Sequence, residues 1–135
     1  MDEDILHIQA TRNGKEIGRL EIEVGEKSAE VHEVELDPEF QKKGLGQALY
    51  RKAAEHLQGR GIESLRTRVF QDPVGMADVM AAFPDSSVAK MGGADRVTSP
   101  LRPKDKFLPE TDSGKEWKKR GVEFGGILQI QRGDG

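Results

Sequence analysis

The residue types best suited to chemistry in this chain fall in one short run, Leu36-Asp37-Pro38-Glu39-Phe40-Gln41-Lys42-Lys43-Gly44-Leu45-Gly46. Leu45, Leu49, Ala53 and Leu57 follow it at helical spacing, so the run opens an amphipathic helix expected over 44–58. A helix start has four unpaired backbone N–H groups and a partial positive charge, ordinarily met by a Ser, Thr, Asp or Asn cap and by first-turn acids. Here Lys42 and Lys43 precede the helix, and glycines at 44 and 46 leave the amides bare. That pattern suits an anion, a phosphate or pyrophosphate held by backbone N–H groups and flanking lysines. The alternative is that Asp37 caps one long helix from Pro38 to Gln58, in which each interior glycine costs about 1 kcal/mol relative to alanine. A nucleotide P-loop needs Gly-x-x-x-x-Gly-Lys-Ser/Thr, which is absent, and a dinucleotide fingerprint needs a third glycine where Leu49 stands.

The elements that must position this run are legible around it. Ile5, Ile8, Ile17, Leu20, Ile22 and Val24 flank Asn13-Gly14, a strong hairpin signal, and predict strands over 4–12 and 15–24. Glu30 to Leu36 predicts a third antiparallel strand. Gly59-Arg60-Gly61 ends the helix, and 62–70 reads as a strand lying parallel to the third through a right-handed crossover. Residues 76–83 read as a short helix stopped by Pro84. The stretch 84–116 carries Pro84, Pro100, Pro103 and Pro109 among polar residues and is expected to be loop-rich. A final strand is expected near 122–131, bulged at Gly125-Gly126 and anchored by Trp117. The fold class is therefore mixed α+β in a single domain over 1–135, with a mostly antiparallel sheet around a strand–loop–helix–strand core.

Taken with its register between strand and helix, Gln41-Lys42-Lys43-Gly44-Leu45-Gly46 resembles the Gln/Arg-x-x-Gly-x-Gly/Ala acyl-CoA-binding motif of the GNAT N-acetyltransferases. The resemblance covers about residues 29–69. It implies that Gln41, Lys42, Lys43, Gly44, Leu45 and Gly46 bind the CoA pyrophosphate and that the backbone of Val34 and Leu36 binds pantetheine, where the third strand splays from the next. It further implies acetyl-CoA as acyl donor, a primary amine on a protein or small molecule as acceptor, and direct transfer without metal. Ala29-Glu30 matches the Ala-Glu of the histone-acetylating branch, whose glutamate takes the amine proton through water. Strand alternation puts Glu30, His32, Val34 and Leu36 on one face, so Glu30 and His32 are the candidate bases.

The chain also departs from the pattern. Family members usually begin with a strand and helices framing the acceptor site, whereas here the hairpin starts near residue 4 and that frame is missing or replaced. A helix ending in a Tyr-x-Lys-x-Gly-Phe-like segment, whose tyrosine protonates the leaving thiolate, can be laid on Val88 to Gly93, with Val88 in the tyrosine place. Ser86 or Ser87 could stand in, and the sole tyrosine, Tyr50, lies in the amphipathic helix. The competing class is a degenerate domain of the same fold serving as an interaction component.

Composition sets the outer bounds. Lys and Arg number 21 against 24 Asp and Glu, so a general electrostatic drive onto nucleic acid is lacking, and Lys118-Lys119-Arg120 reads as a solvated face. No cysteine is present, which removes thiolate and iron–sulfur chemistry but is no obstacle to direct acetyl transfer. His7 and His56 have no partner at ligand spacing and read as structural. No run reaches membrane-spanning length, and a cytoplasmic location is expected. Glu33, Glu35 and Glu39 are a candidate acidic rim for a cationic acceptor, and a homodimer or larger assembly stays open.

Overall fold

A computed structural model describes residues 3–41, 44–69, 73–92, 94–101 and 112–131. The chain begins with strands β1 (Glu3–Arg12) and β2 (Lys15–Val24), joined by Asn13 and Gly14 at φ 54° and 78°, the pair of left-handed residues a tight hairpin demands. Strand β3 (Ser28–Leu36), a 3-10 turn (Pro38–Phe40), helix α1 (Leu45–Gly59) and strand β4 (Ser64–Val69) follow. Helix α2 (Pro73–Ala82), strands β5 (Ser87–Met91) and β6 (Ala94–Pro100), helix α3 (Asp112–Lys119) and strand β7 (Val122–Gln131) complete the chain.

The seven strands form one sheet in the order β5-β6-β4-β3-β2-β1-β7. Every pairing is antiparallel except β3 with β4, the pair bridged by α1 as the crossover rule requires. Helix α1 buries Leu45, Ala48, Leu49, Ala53 and Leu57 against Leu6, Ile8, Leu20 and Ile22 of β1 and β2, and this stripe is the centre of the core. Gly18 of β2 is needed under it, because a Cβ there would lie 3.0 Å from Leu36 and from Leu49.

Three expectations change. The stretch 84–116 is not loop-rich where it is described: it contains the β5–β6 hairpin and the start of α3. That hairpin escapes a periodicity search because one face is polar, and even its inward row mixes Val97 with Ser99, both fully buried. Secondly, β7 has no bulge at Gly125-Gly126, since its register with β1 is unbroken from Glu3↔Gln131 to Arg12↔Val122. Gly126 instead makes room for His56 of α1, whose Nε2 lies 2.5 Å from where a Cβ on residue 126 would sit. Thirdly, β3 does not alternate cleanly: its register with β2 passes from Ile22↔Val31 to Glu21↔Glu33, leaving His32 as the extra residue of a bulge. Trp117 is buried as expected, 6.2 Å from the ring of Phe40 and under the guanidinium of Arg120.

Candidate functional site

The site is built where two parallel strands part. Strands β3 and β4 pair only at Ser28↔Ser64, Ala29↔Leu65 and Glu30↔Arg66, after which β4 stays with β6 while β3 continues beside β2 alone. The bulge at His32 supplies the bend, because an extra residue kinks a strand and adds local twist. On the side away from β2, backbone polar groups of β3 beyond Glu30 thus have no neighbouring strand among the described residues.

At the far end of β3 the chain turns into α1. Asp37 caps the 3-10 turn by accepting from the Glu39 N–H at 3.2 Å, so it does not cap the long helix, which begins afresh at Leu45. Gln41 folds back and donates from Nε2 to the Leu36 carbonyl at 3.4 Å. Gly44 is the N-cap residue at φ 85°, with no side-chain cap and no acid in the first turn of the helix itself. Lys42 and Lys43 lie outside the described residues.

Gly46 also serves the packing of two helices. A Cβ there would lie 2.8 Å from Cγ of Asp78, so this glycine lets α2 close on the start of α1. Asp78 thereby brings a carboxylate beside a helix start that has none of its own. Nothing near residue 46 in the sequence announces it, since the partner comes from another helix.

A groove of about 500 Å³ lies at the C-terminal end of β3, on its β2 side. Val34, Leu36, Asp37, Pro38 and Gln41 form one wall, and Glu16, Ile17, Gly18 and Arg19 of β2 the other. The candidate pantetheine residues Val34 and Leu36 therefore meet the candidate pyrophosphate residue Gln41 in one depression.

Glu30 and His32 are placed apart from Val34 and Leu36. In the register, Val31, Val34 and Leu36 stand opposite Ile22, Leu20 and Gly18 on the α1 side, whereas Glu30 stands opposite Glu23 on the other face. His32 joins that second face: its Nε2 is 3.5 Å from Glu23 and 4.0 Å from Glu30. The grouping of all four on one side is thus corrected, the bulge being the cause. Glu23 is the residue that sequence reasoning missed, although the β2–β3 register, once known, sets it across from Glu30.

The acidic rim is largely spoken for. Arg19 Nη2 is 3.1 Å from both Glu33 and Glu35, and hydrogen bonding with Glu35 and Arg19 holds the Glu33 carboxyl below its ordinary range. Val88 lies on β5. Phe83 is the aromatic residue that follows α2, and it meets Tyr50 edge-on at 6.3 Å. Ser86 donates its hydroxyl proton to the Phe83 carbonyl at 2.6 Å and stands 2.7 Å from Ser99 Oγ.

A parallel pair split after three rungs, with a bare helix start at its mouth, defines an acetyltransferase-type sheet. The model described as Acetyltransferase (GNAT) family matches residues 2–78, more than half of the chain, and the chain belongs to that family. The crystal structure of PaiA N-acetyltransferase from Thermoplasma acidophilum in complex with coenzyme A superposes with a TM-score of 0.66 at 25% identity. That likeness covers 72% of this chain and 61% of the other, so the chain spans less than two thirds of that relative's length. The ribosomal-protein-S18-alanine N-acetyltransferase from Escherichia coli shares the fold, with a TM-score of 0.63, 23% identity and coverage of 77% and 74%. No curated protein sequence matches the chain. Among the described residues no helix is long and apolar enough to cross a membrane.

Proposed function

We propose that the chain binds acetyl-CoA in the opening between β3 and β4 and moves its acetyl group directly to a primary amine on a protein or small molecule. The early end of the β3–β4 pairing carries this reading, because it leaves strand amides and carbonyls free for an amide-bearing arm such as pantetheine. Backbone N–H groups at Gly44, Leu45 and Gly46, with Gln41, Lys42 and Lys43, receive the pyrophosphate. Asp78 sits close to that place, so the lysines and amides must outweigh one carboxylate there. The family membership and the coenzyme A carried by the Thermoplasma acidophilum relative support the same donor.

In the transfer, the neutral amine nitrogen bonds to the thioester carbonyl carbon and the carbon–sulfur bond breaks. The amine's surplus proton passes through water to Glu30, with His32 beside it as the second acceptor. The departing thiolate needs a proton in turn. Phe83 has no hydroxyl to give, and the Ser86 proton is held by the Phe83 carbonyl, so water serves as donor. That same gap favours the second reading, a domain of this fold that binds CoA or a protein partner without turnover.

Free-thiol release from acetyl-CoA, measured against a panel of primary amines, separates the two. The enzymatic reading predicts release with at least one amine class and a fall of about 100-fold in kcat for Glu30→Gln, with KM for acetyl-CoA unchanged. No release with any amine, in protein that still binds acetyl-CoA, would establish the non-catalytic reading.

A further inference from the structure

The two borders of the sheet are guarded unequally. Strand β5, at one border, is five residues long and carries Lys90, both features that discourage pairing with another chain. Strand β7, at the other, runs for ten residues, Val-Glu-Phe-Gly-Gly-Ile-Leu-Gln-Ile-Gln, with no Lys, Arg or Pro. Its inner border is fully paired with β1, and among the described residues no strand pairs with its outer border. No bulge turns that border away, and Ile127 near its middle is 61% exposed. Long, unbulged borders with a single charge are templates for strand addition.

We infer that the outer border of β7 pairs antiparallel with β7 of a second copy of this chain, about a twofold axis at Gly126. Residues directly opposite in an antiparallel pair share a face, so a twofold pairing must place some residue opposite itself. With Gly126 on the axis, nine of the ten residues find partners. Phe124 then meets Leu128 on the helix-bearing side, where both are already partly packed on the core, and Gly125 meets Ile127 on the other. Glu123, the one charged residue of the strand, meets Gln129 and stays six positions away from its own copy. The strand thus presents a self-complementary row with no like charges facing, and this singles out a second copy as the occupant over an unrelated strand.

The absence of cysteine from the chain makes the register directly testable. Residues 123 and 129 are both exposed and stand opposite each other across the inferred axis, within disulfide reach. Within one chain, or between two copies of the same residue, positions so related lie about 20 Å apart and cannot bond. The 135-residue variant E123C/Q129C, gently oxidised, is expected to run as a covalent dimer on a denaturing gel, while E123C and Q129C alone stay monomeric. Sedimentation of the unmodified protein is expected to show a dimer, and Ile127→Lys, a change at an exposed side chain, to shift it to monomer with an unchanged circular dichroism spectrum. A monomer at all concentrations, a dimer that survives Ile127→Lys, or single variants that crosslink as well as the double one would each overturn the inference.

Discussion

Gly46 and Asp78 show how a residue's meaning depends on what lies over it. The sequence presents Gly44 and Gly46 as equivalent bare positions, yet Gly44 opens onto free space at a left-handed φ and Gly46 is pressed by a carboxylate from α2. Gly46→Ala is therefore expected to lower stability by about 1–3 kcal/mol in chemical denaturation, the usual cost of overpacking. Adding Asp78→Ala should recover part of that loss, so that the double variant is more stable than the sum of the two single changes allows. Strict additivity would mean the two residues do not touch. Glu30 and His32 were legible as residue types, but their relation to Val34 and Leu36 was not. A single bulged position reverses which face the rest of β3 presents, and no local pattern in Val-His-Glu-Val marks it.

At the scale of elements, the readable parts were those whose pattern is repeated along their own length. The β1–β2 hairpin and α1 fall within a residue or two of expectation, since alternation and a four-residue stripe each recur several times there. The β5–β6 hairpin and α3 were hidden because their apolar content is a residue here and there, Val97 and Trp117, meaningful only once a sheet exists to receive them. The seat of β7 is similarly tertiary: His56 of α1 covers Gly126, and its burial, with Lys52 nearby, pushes the imidazole below its ordinary pKa. A base whose folded pKa is lowered makes the unfolded chain take up more protons in the interval between the two values, so stability rises with pH there and falls on acidification through about 6.5. Thermal midpoints between pH 5 and 7.5 should accordingly climb with pH, and His56→Gln should flatten the climb. An identical slope in that variant would show that His56 does not hold the contact.

For the whole molecule, the family match ends at residue 78, while the sheet is completed by elements from both sides of that limit. Strands β6 and β5 continue it beyond β4, and β7 brings the end of the described chain back to lie along β1. Glu23, Glu30 and His32 share the face of the sheet opposite the one on which α1 packs. The β3–β4 opening, with the bare start of α1, is the proposed seat for acetyl-CoA. Titration calorimetry of acetyl-CoA into the 135-residue chain tests it most directly, alongside Gly44→Asp, which adds a negative charge at an open position beside the helix start. Saturable one-to-one binding to the unmodified protein is expected, with a loss of at least tenfold in affinity for Gly44→Asp in a chain that still unfolds cooperatively. Absence of heat at millimolar acetyl-CoA, or equal affinity in the two proteins, would contradict it.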